Sequence, residues 1–285
     1  MEKKTFYNQI SIPPIGYGVY QITDQELCEE YVVQAIQSGY RLIDTAAAYE
    51  NEEAVGRALK RCGVPREELF ITTKLWVSDT SYEKVKDAFN RSLKRLGLDY
   101  IDLYLIHQPY NDYYGAWRAM EELYQEGKVK AIGVDNFKQD RLADFLYFNK
   151  IKPMVNMVEC NPLYQREDDL TYLKENEIQM LAWSPLASGK DNILKNEDLK
   201  KIAQKYDKSI AQITLRWLYQ RGIVPLVKST NSQRIKENLD IFDFELSKED
   251  MGVIAKLDQG HTCFHERDTA EKVNHFLEQA FKFNV

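Results

Sequence analysis

Asp44, Tyr49, Lys74 and His107 are an acid, a phenol, an ammonium and an imidazole, and each stands at or just beyond the end of a short apolar run. Leu42-Ile43 leads into Asp44, with Tyr49 five residues on, before a helix-start signal at Asn51. Leu69–Leu75 carries Lys74, and Ile101–His107 ends in the imidazole. Such groups do acid–base work, moving a proton or holding a charge beside a reacting atom. A lysine among them also leaves Schiff-base chemistry open. Each alone has a plainer explanation: Asp44 as a strand-end or capping acid, Lys74 as a snorkelling surface lysine, His107 as a satisfied structural histidine, and Tyr49 as one loop tyrosine among 18. Their coincidence at successive strand ends points to a site.

The elements that must position them alternate along the chain. A short hairpin, Thr5–Ile10 with Ser11–Ile15, precedes a glycine-punctuated strand, Gly16–Gln21. Asp24 then caps a helix whose apolar positions Leu27, Tyr31, Val32, Ala35 and Ile36 recur at helical spacing, and Gly39 ends it. Further strands are predicted at Leu69–Leu75, Ile101–His107, Lys130–Asp135, Met154–Glu159, Gln179–Trp183 and Val224–Lys228. Helices are predicted over 51–62, 82–96, 113–126, 138–149, 168–176, 197–206, 210–220 and 234–239, and another near 248–257. Eight strand–helix units with near-continuous apolar strands predict an α/β protein, a (β/α)8 TIM barrel with an N-terminal hairpin and a C-terminal tail from 258 to 285. No linker or composition break divides residues 1–285.

Composition removes several functions. The 285 residues carry 38 Lys plus Arg against 44 Asp plus Glu, a net charge of -6, which disfavours a broad phosphate-binding surface; nucleic acid is not expected as a partner. Cys28, Cys62, Cys160 and Cys263 are scattered, without C-x-x-C or metal-ligand spacing, so reduced, half-buried cysteines are expected and neither a disulfide framework nor a metal site. No apolar stretch approaches a membrane span and the start has no apolar h-region, so a soluble, cytoplasmic protein is expected, with nothing demanding more than a monomer.

The chain resembles the aldo-keto reductases through Gly16-Tyr-Gly-Val-Tyr-Gln, Ile43-Asp-Thr-Ala with Tyr49, Thr73-Lys-Leu-Trp, Leu105-Ile-His-Gln-Pro, Gly133-Val-Asp-Asn-Phe, Val155-Asn-Met-Val-Glu-Cys-Asn-Pro, Ala182-Trp-Ser-Pro-Leu, and Lys228-Ser-Thr with Arg234-Ile-Lys-Glu-Asn. It is most similar to the bacterial small-carbonyl and diketogluconate-type reductases. The resemblance implies a catalytic tetrad of Asp44, Tyr49, Lys74 and His107 and the reduction of a small aldehyde or ketone. A carbonyl needs a hydride on carbon and a proton on oxygen, and a phenol of pKa about 10 is a reluctant donor. An ammonium about 4 Å away, at an effective dielectric of about 20, favours the phenolate by roughly 4 kcal/mol, or about three pKa units. Lys74 is thus expected to poise Tyr49, Asp44 to keep Lys74 charged, and His107 to orient the carbonyl oxygen.

No side chain donates hydride, and the chain has no G-x-G-x-x-G and no Walker lysine. The resemblance implies instead NADPH extended across the barrel rim. Trp183 would stack on the nicotinamide, and Ser184, Leu186 and Ser188 would follow the pyrophosphate. Lys228, Ser229 and Arg234 would take the 2′-phosphate, with Glu237 and Asn238 at the adenine. A phosphate monoester calls for a lysine plus a bidentate arginine, which favours NADPH over NADH. Two positions depart from the family pattern: Asp135-Asn136 replaces Ser-Asn at the carboxamide, and Met157 replaces a glutamine whose amide contacts it cannot make. Asp135 and Asn136 are expected to hold the carboxamide. Tyr20, Trp76 and Gln108 should line the substrate pocket, with the tail over or near it; the loop 109–115 either adds to the pocket or packs its tyrosines on the barrel. His261 and His265, spaced i, i+4, would share a helix face, but no third ligand accompanies them. An alternative within the superfamily is an NADPH-binding regulatory or structural protein, which has no need of a proton donor.

Overall fold

In the computed structural model, which describes residues 3–283, eight parallel strands close into a barrel. The ends of the span 1–285, including the first and last two residues of the hairpin arm and tail, lie outside the described residues. The strands are β3 (Gly16–Gly18), β4 (Leu42–Asp44), β5 (Phe70–Leu75), β6 (Ile101–Ile106), β7 (Val129–Asp135), β8 (Val155–Glu159), β9 (Gln179–Trp183) and β10 (Val224–Val227), which pairs back on β3. Every residue of β4, β5, β6 and β8 is buried, as near-continuous apolar runs require when helices cover one face and the barrel interior the other. Gly133 permits the closure: a Cβ there would stand 2.7 Å from a methyl of Leu105 on β6 and 2.8 Å from the Val155 carbonyl on β8.

The preceding arm, β1 (Lys4–Thr5) and β2 (Ser11–Ile12), pairs antiparallel but is shorter than predicted. Pro13 and Pro14 have no N–H to continue the ladder. This arm covers the barrel mouth opposite the site: Phe6 packs edge-on against Phe70 at the start of β5, and the Tyr7 hydroxyl donates to the Lys152 carbonyl at 2.6 Å. β3 also stops early, because the chain turns where the Ile22 amide donates to the Val19 carbonyl; Tyr20 and Gln21 leave the sheet, Gln21 with φ 63.

Helices follow the predicted spans within a residue or two: α1 (Gln25–Ser38), α2 (Glu52–Arg61), α3 (Tyr82–Leu96), α4 (Tyr113–Gln125), α5 (Gln139–Phe148), α6 (Glu167–Glu175), α7 (Glu197–Tyr206), α8 (Ile210–Gln220), α9 (Ser232–Leu239) and α10 (Lys248–Ala255). Asp24 caps α1 through the Glu26 and Leu27 amides, and Gly39 ends it at φ 113. The tail adds an element not predicted, α11 (Ala270–Ala280), capped by Thr269. All four cysteines are unpaired, and Cys28, Cys62 and Cys160 are fully buried rather than half-buried, filling core positions. Among the described residues no helix is long and apolar enough to cross a membrane.

Candidate active site

Asp44, Lys74 and Tyr49 converge because β4 and β5 are neighbours. Asp44 pairs in register with Thr72, and Lys74 lies two residues farther along β5, on the same face. Its Nζ donates to Asp44 Oδ2 at 2.8 Å, to the Thr45 carbonyl at 3.0 Å and to the Tyr49 hydroxyl at 3.2 Å, which uses all three ammonium hydrogens. The lysine has no exposure and Asp44 only 5%, so each charge depends on the other. Tyr49 ends a 3-10 turn, Ala47–Tyr49. Asn51 fixes this loop: it accepts from the Thr45 hydroxyl at 2.8 Å and donates to the Val19 and Ile22 carbonyls. The helix-start signal therefore marks the right residue, but its side chain ties the loop to the turn after β3 and does not cap α2.

Burial works against the Lys74 charge, yet Asp44, Tyr49 and Asp135 together hold its pKa above the ordinary lysine value. Tyr49 corrects the expectation from the sequence. Burial pushes the phenol upward, the Lys74 charge opposes it, Asp44 and Asp135 add to the rise, and the net pKa lies above that of an exposed tyrosine. The Lys74 charge alone would lower the phenol's pKa, but desolvation is the larger effect here. His107 follows β6, with Tyr49 and Trp76 edge-on at centroid distances of 5.6 and 5.0 Å. Burial, then the charges of Lys74 and Arg267, hold its pKa well below the usual histidine value, so the imidazole is neutral. Its Nδ1 is buried without a partner among the described residues, and Nε2 lies 3.9 Å from Asp135 Oδ2.

Asp135 ends β7, where burial raises its pKa well above the carboxylate range against the pull of Lys74 and Arg267. Its Oδ1, like Asp44 Oδ1, is buried without a hydrogen-bond partner among the described residues. Asn136, at φ 65, is a tie between strands: its amide nitrogen donates to the His107 carbonyl at 3.2 Å, and its Oδ1 accepts from the Trp183 indole at 2.9 Å. Met157 is buried beside Asp135 in the sheet register. Beyond Trp183 the chain is irregular. Ser184, Ala187, Ser188, Asp191 and Asn192 all have positive φ, which non-glycine residues adopt singly and rarely, and the Ser184 and Ser188 hydroxyls lie 3.3 Å apart. Leu186 packs against the core from this loop.

Lys228 and Arg234 sit apart from this cluster, after β10 and in the first turn of α9. With Ser229, Thr230 and Asn231 they line a cavity of about 190 Å³. Neither cation is in an ion pair among the described residues. The Tyr17 hydroxyl holds the Ser229 carbonyl at 2.6 Å, and Asn231 caps α9 through the Arg234 amide. One turn on, Glu237 accepts from Gln233, and Asn238 is buried.

The tail closes over the other end. Glu159, at the end of β8, accepts from the Thr262 hydroxyl and, at 3.0 Å, from the Cys263 amide. Phe264 then meets Trp183 edge-on at 5.3 Å, and Arg267 donates to Gln108 Oε1 at 2.6 Å. From α11, the Ala280 carbonyl accepts from the Trp76 indole at 2.8 Å and Phe276 packs on Trp76 and Tyr110. Trp76 is thus buried between His107 and the tail, whereas Tyr20 is 57% exposed with its ring 5.0 Å from that of Tyr49. Of the loop tyrosines, Tyr110 faces the tail and Tyr113 and Tyr114 pack on Phe145 of α5. His261 and His265 are exposed and outside any helix, so their spacing brings nothing together. Thr45, Glu159, Asn231 and Arg267 were not singled out from the sequence. Asn231 carried a legible cap signal; the others act through backbone or long-range contacts that no local pattern records.

A family model described as Aldo/keto reductase family matches residues 14–259. The chain belongs to the aldo/keto reductase family. Among aldo/keto reductase relatives it is 50% identical over 254 residues to the glyoxal reductase of Bacillus subtilis, covering 89% of this chain and 91% of that protein. It is similar to an aldo-keto reductase from a Medee basin deep-sea metagenome library (47% identity, TM-score 0.91, 94% of this chain and 99% of that one). It is also similar to a Bombyx mori aldo-keto reductase in complex with NADP (35% identity, TM-score 0.89, 94% and 96% covered). The family is one of oxidoreductases.

Proposed function

We propose that this protein reduces small aldehydes and ketones with NADPH, with Tyr49 as the proton donor. The observation that carries the reading is the buried ammonium of Lys74, held between Asp44 at 2.8 Å and the Tyr49 hydroxyl at 3.2 Å. A protonated phenol beside a permanent cation is the arrangement that can release a proton to a developing alkoxide and stabilise what remains. Burial keeps Tyr49 protonated at neutral pH, the state a donor must start in, and Lys74 lowers the cost of the phenolate as it forms. Asp44 fixes the lysine in place and keeps it charged. The neutral His107 can donate one hydrogen bond to the carbonyl oxygen without competing for the proton.

NADPH, when bound, supplies the hydride. Lys228 and Arg234 fit its 2′-phosphate, since they are two cations on one small cavity with no carboxylate of their own. Ser229 would add a hydroxyl there, and Glu237 and Asn238 would meet the adenine. Trp183, fixed by Asn136, would stack on the nicotinamide, and Ser184, Leu186 and Ser188 would follow the pyrophosphate. The unpartnered Asp135 Oδ1 is available to the carboxamide. The glyoxal reductase relative supports α-dicarbonyls as the first compounds to try. The test follows NADPH absorbance with glyoxal and methylglyoxal, comparing the wild type with Tyr49→Phe. Turnover by the wild type that collapses in the variant is expected; equal rates would remove Tyr49 as donor.

A further inference from the structure

A cavity of about 420 Å³ lies outside the barrel between α2 and α3 and has no part in the reductase reading. Five cations line it, Arg57 and Lys60 from α2 and Arg91, Lys94 and Arg95 from α3, against one carboxylate, Glu53. Barrel helices run back against their strands, so these cations, in the C-terminal halves of both helices, stand toward the mouth opposite Tyr49 and His107. Gly56 lets the two helices meet there, since a Cβ would stand 2.6 Å from the Leu96 carbonyl oxygen. Lys60 reaches over the end of α3, where a Cβ at Gly97 would lie 3.0 Å from its Cε.

Like charges four residues apart on one helix repel, and Arg91 with Arg95 is such a pair. The helix dipole accounts for Lys60, Lys94 and Arg95, which lie in last turns, but not for Arg57 and Arg91, which precede them. The three arginines do meet carboxylates: Glu29 lies 2.7 Å from Arg57, Glu52 lies 3.4 Å from Arg95, and Asp79 pairs with Arg91. None of these acids lines the cavity, and each is more enclosed than the arginine it meets. They hold the guanidiniums from behind, and each arginine has spent one or two of its five N–H donors. Lys60 and Lys94 are exposed and have no carboxylate within ion-pair distance among the described residues. Glu53 belongs to the first turn of α2, where its charge favours the dipole.

We propose that this cavity binds a small anion bearing two or more phosphate groups. Phosphate carries up to about two negative charges on one centre, where a carboxylate carries one, and it pairs bidentately with guanidinium. Five cations around one cavity match such compact charge. The cavity is also larger than the one of about 190 Å³ at Lys228 and Arg234, which leaves room for more than one phosphate. The site is independent of the reductase reading, because it lies away from Tyr49 and Lys74 and uses none of the residues assigned to the cofactor.

The test is isothermal titration calorimetry with pyrophosphate, tripolyphosphate and fructose 1,6-bisphosphate, and with orthophosphate and citrate for comparison. Saturating NADP+ keeps the probes from the cavity at Lys228 and Arg234. The proteins are the wild type and three double variants: Lys60→Gln with Lys94→Gln, Lys60→Arg with Lys94→Arg, and Lys200→Gln with Lys201→Gln. The last removes two α7 charges that pair with Glu197 and Asp198. The arginines stay in place, because losing Arg95 would strand the buried Glu52, which also accepts from the Thr73 hydroxyl at 2.6 Å. One site per chain is expected, with affinity rising from orthophosphate to tripolyphosphate. The Kd should rise about tenfold or more in the glutamine pair at positions 60 and 94, and stay near the wild-type value in the arginine pair and the α7 control. No binding of the di- and triphosphates by the wild type overturns the proposal. So does equal weakening in the α7 control, which would make the attraction one of general surface charge. Citrate bound as tightly as tripolyphosphate would overturn the phosphate class.

Discussion

The molecule keeps two sets of cations at the same barrel rim under opposite conditions. Lys74 is fully enclosed and has every hydrogen assigned to an acceptor, one of them the Asp44 carboxylate at 2.8 Å. Lys228 and Arg234 are exposed and line an open cavity, with no partner carboxylate among the described residues. Water supplies the solvation that the second pair needs until an anion displaces it. The first cation has no water and must carry its counter-charge permanently. On the proposed reading, the group assigned to chemistry is built into the fold and its loss threatens the fold, while the groups assigned to capturing a charged ligand are left open and can be removed without harm.

Tyr49→Phe should break the comparison at its buried end most sharply: kcat falls by ~10²–10⁴ while the dissociation constant for NADPH, measured by fluorescence titration, barely moves. A comparable loss of cofactor affinity would mean that Tyr49 holds the cofactor. Next in size, Asp44→Ala strands the Lys74 ammonium in the core, and urea unfolding should show a loss of about 3–5 kcal/mol. An unfolding midpoint equal to that of the wild type would show that water reaches Lys74. Arg234→Ala should leave that midpoint in place but raise the KM for NADPH about tenfold or more, with the KM for NADH little changed. Equal rises for both cofactors would take Arg234 away from the 2′-phosphate.

The same contrast explains what could be read in the sequence. The barrel was legible because Ile101–Ile106 and Gln179–Trp183 are apolar runs of strand length and because Asp24, Gly39 and Gly97 mark helix ends. The convergence of Asp44, Tyr49, Lys74 and His107 was legible because each stands at or just beyond the end of a strand of the same barrel. The pKa of Tyr49 was not, since it depends on how much water the surrounding residues exclude, which has no local signature. α11 could have been read from Val273, Phe276, Leu277 and Ala280, an i, i+3, i+4, i+7 pattern. That it lies on Trp76 could not, because the contact joins residues 204 positions apart.

Asp135 tests the boundary between the two regions, being a buried acid whose Oδ1 has no hydrogen-bonding partner among the described residues. Its pKa is raised in the folded protein, chiefly by burial, whereas the unfolded chain should titrate near 3.9. Below that value both states are protonated and Asp135 costs nothing. As pH rises, the unfolded chain releases its proton first while the folded protein retains it, so stability falls until the folded pKa is passed. Asn at this position cannot titrate. Urea midpoints of the wild type should therefore fall relative to Asp135→Asn as the pH rises above about 4, by no more than about 1.4 kcal/mol per pH unit. An Arg234→Gln control should run parallel to the wild type, because its environment is solvent. Parallel curves for Asp135→Asn as well would mean that Asp135 is ionised in the fold, with Lys74 or Arg267 as its counter-charge.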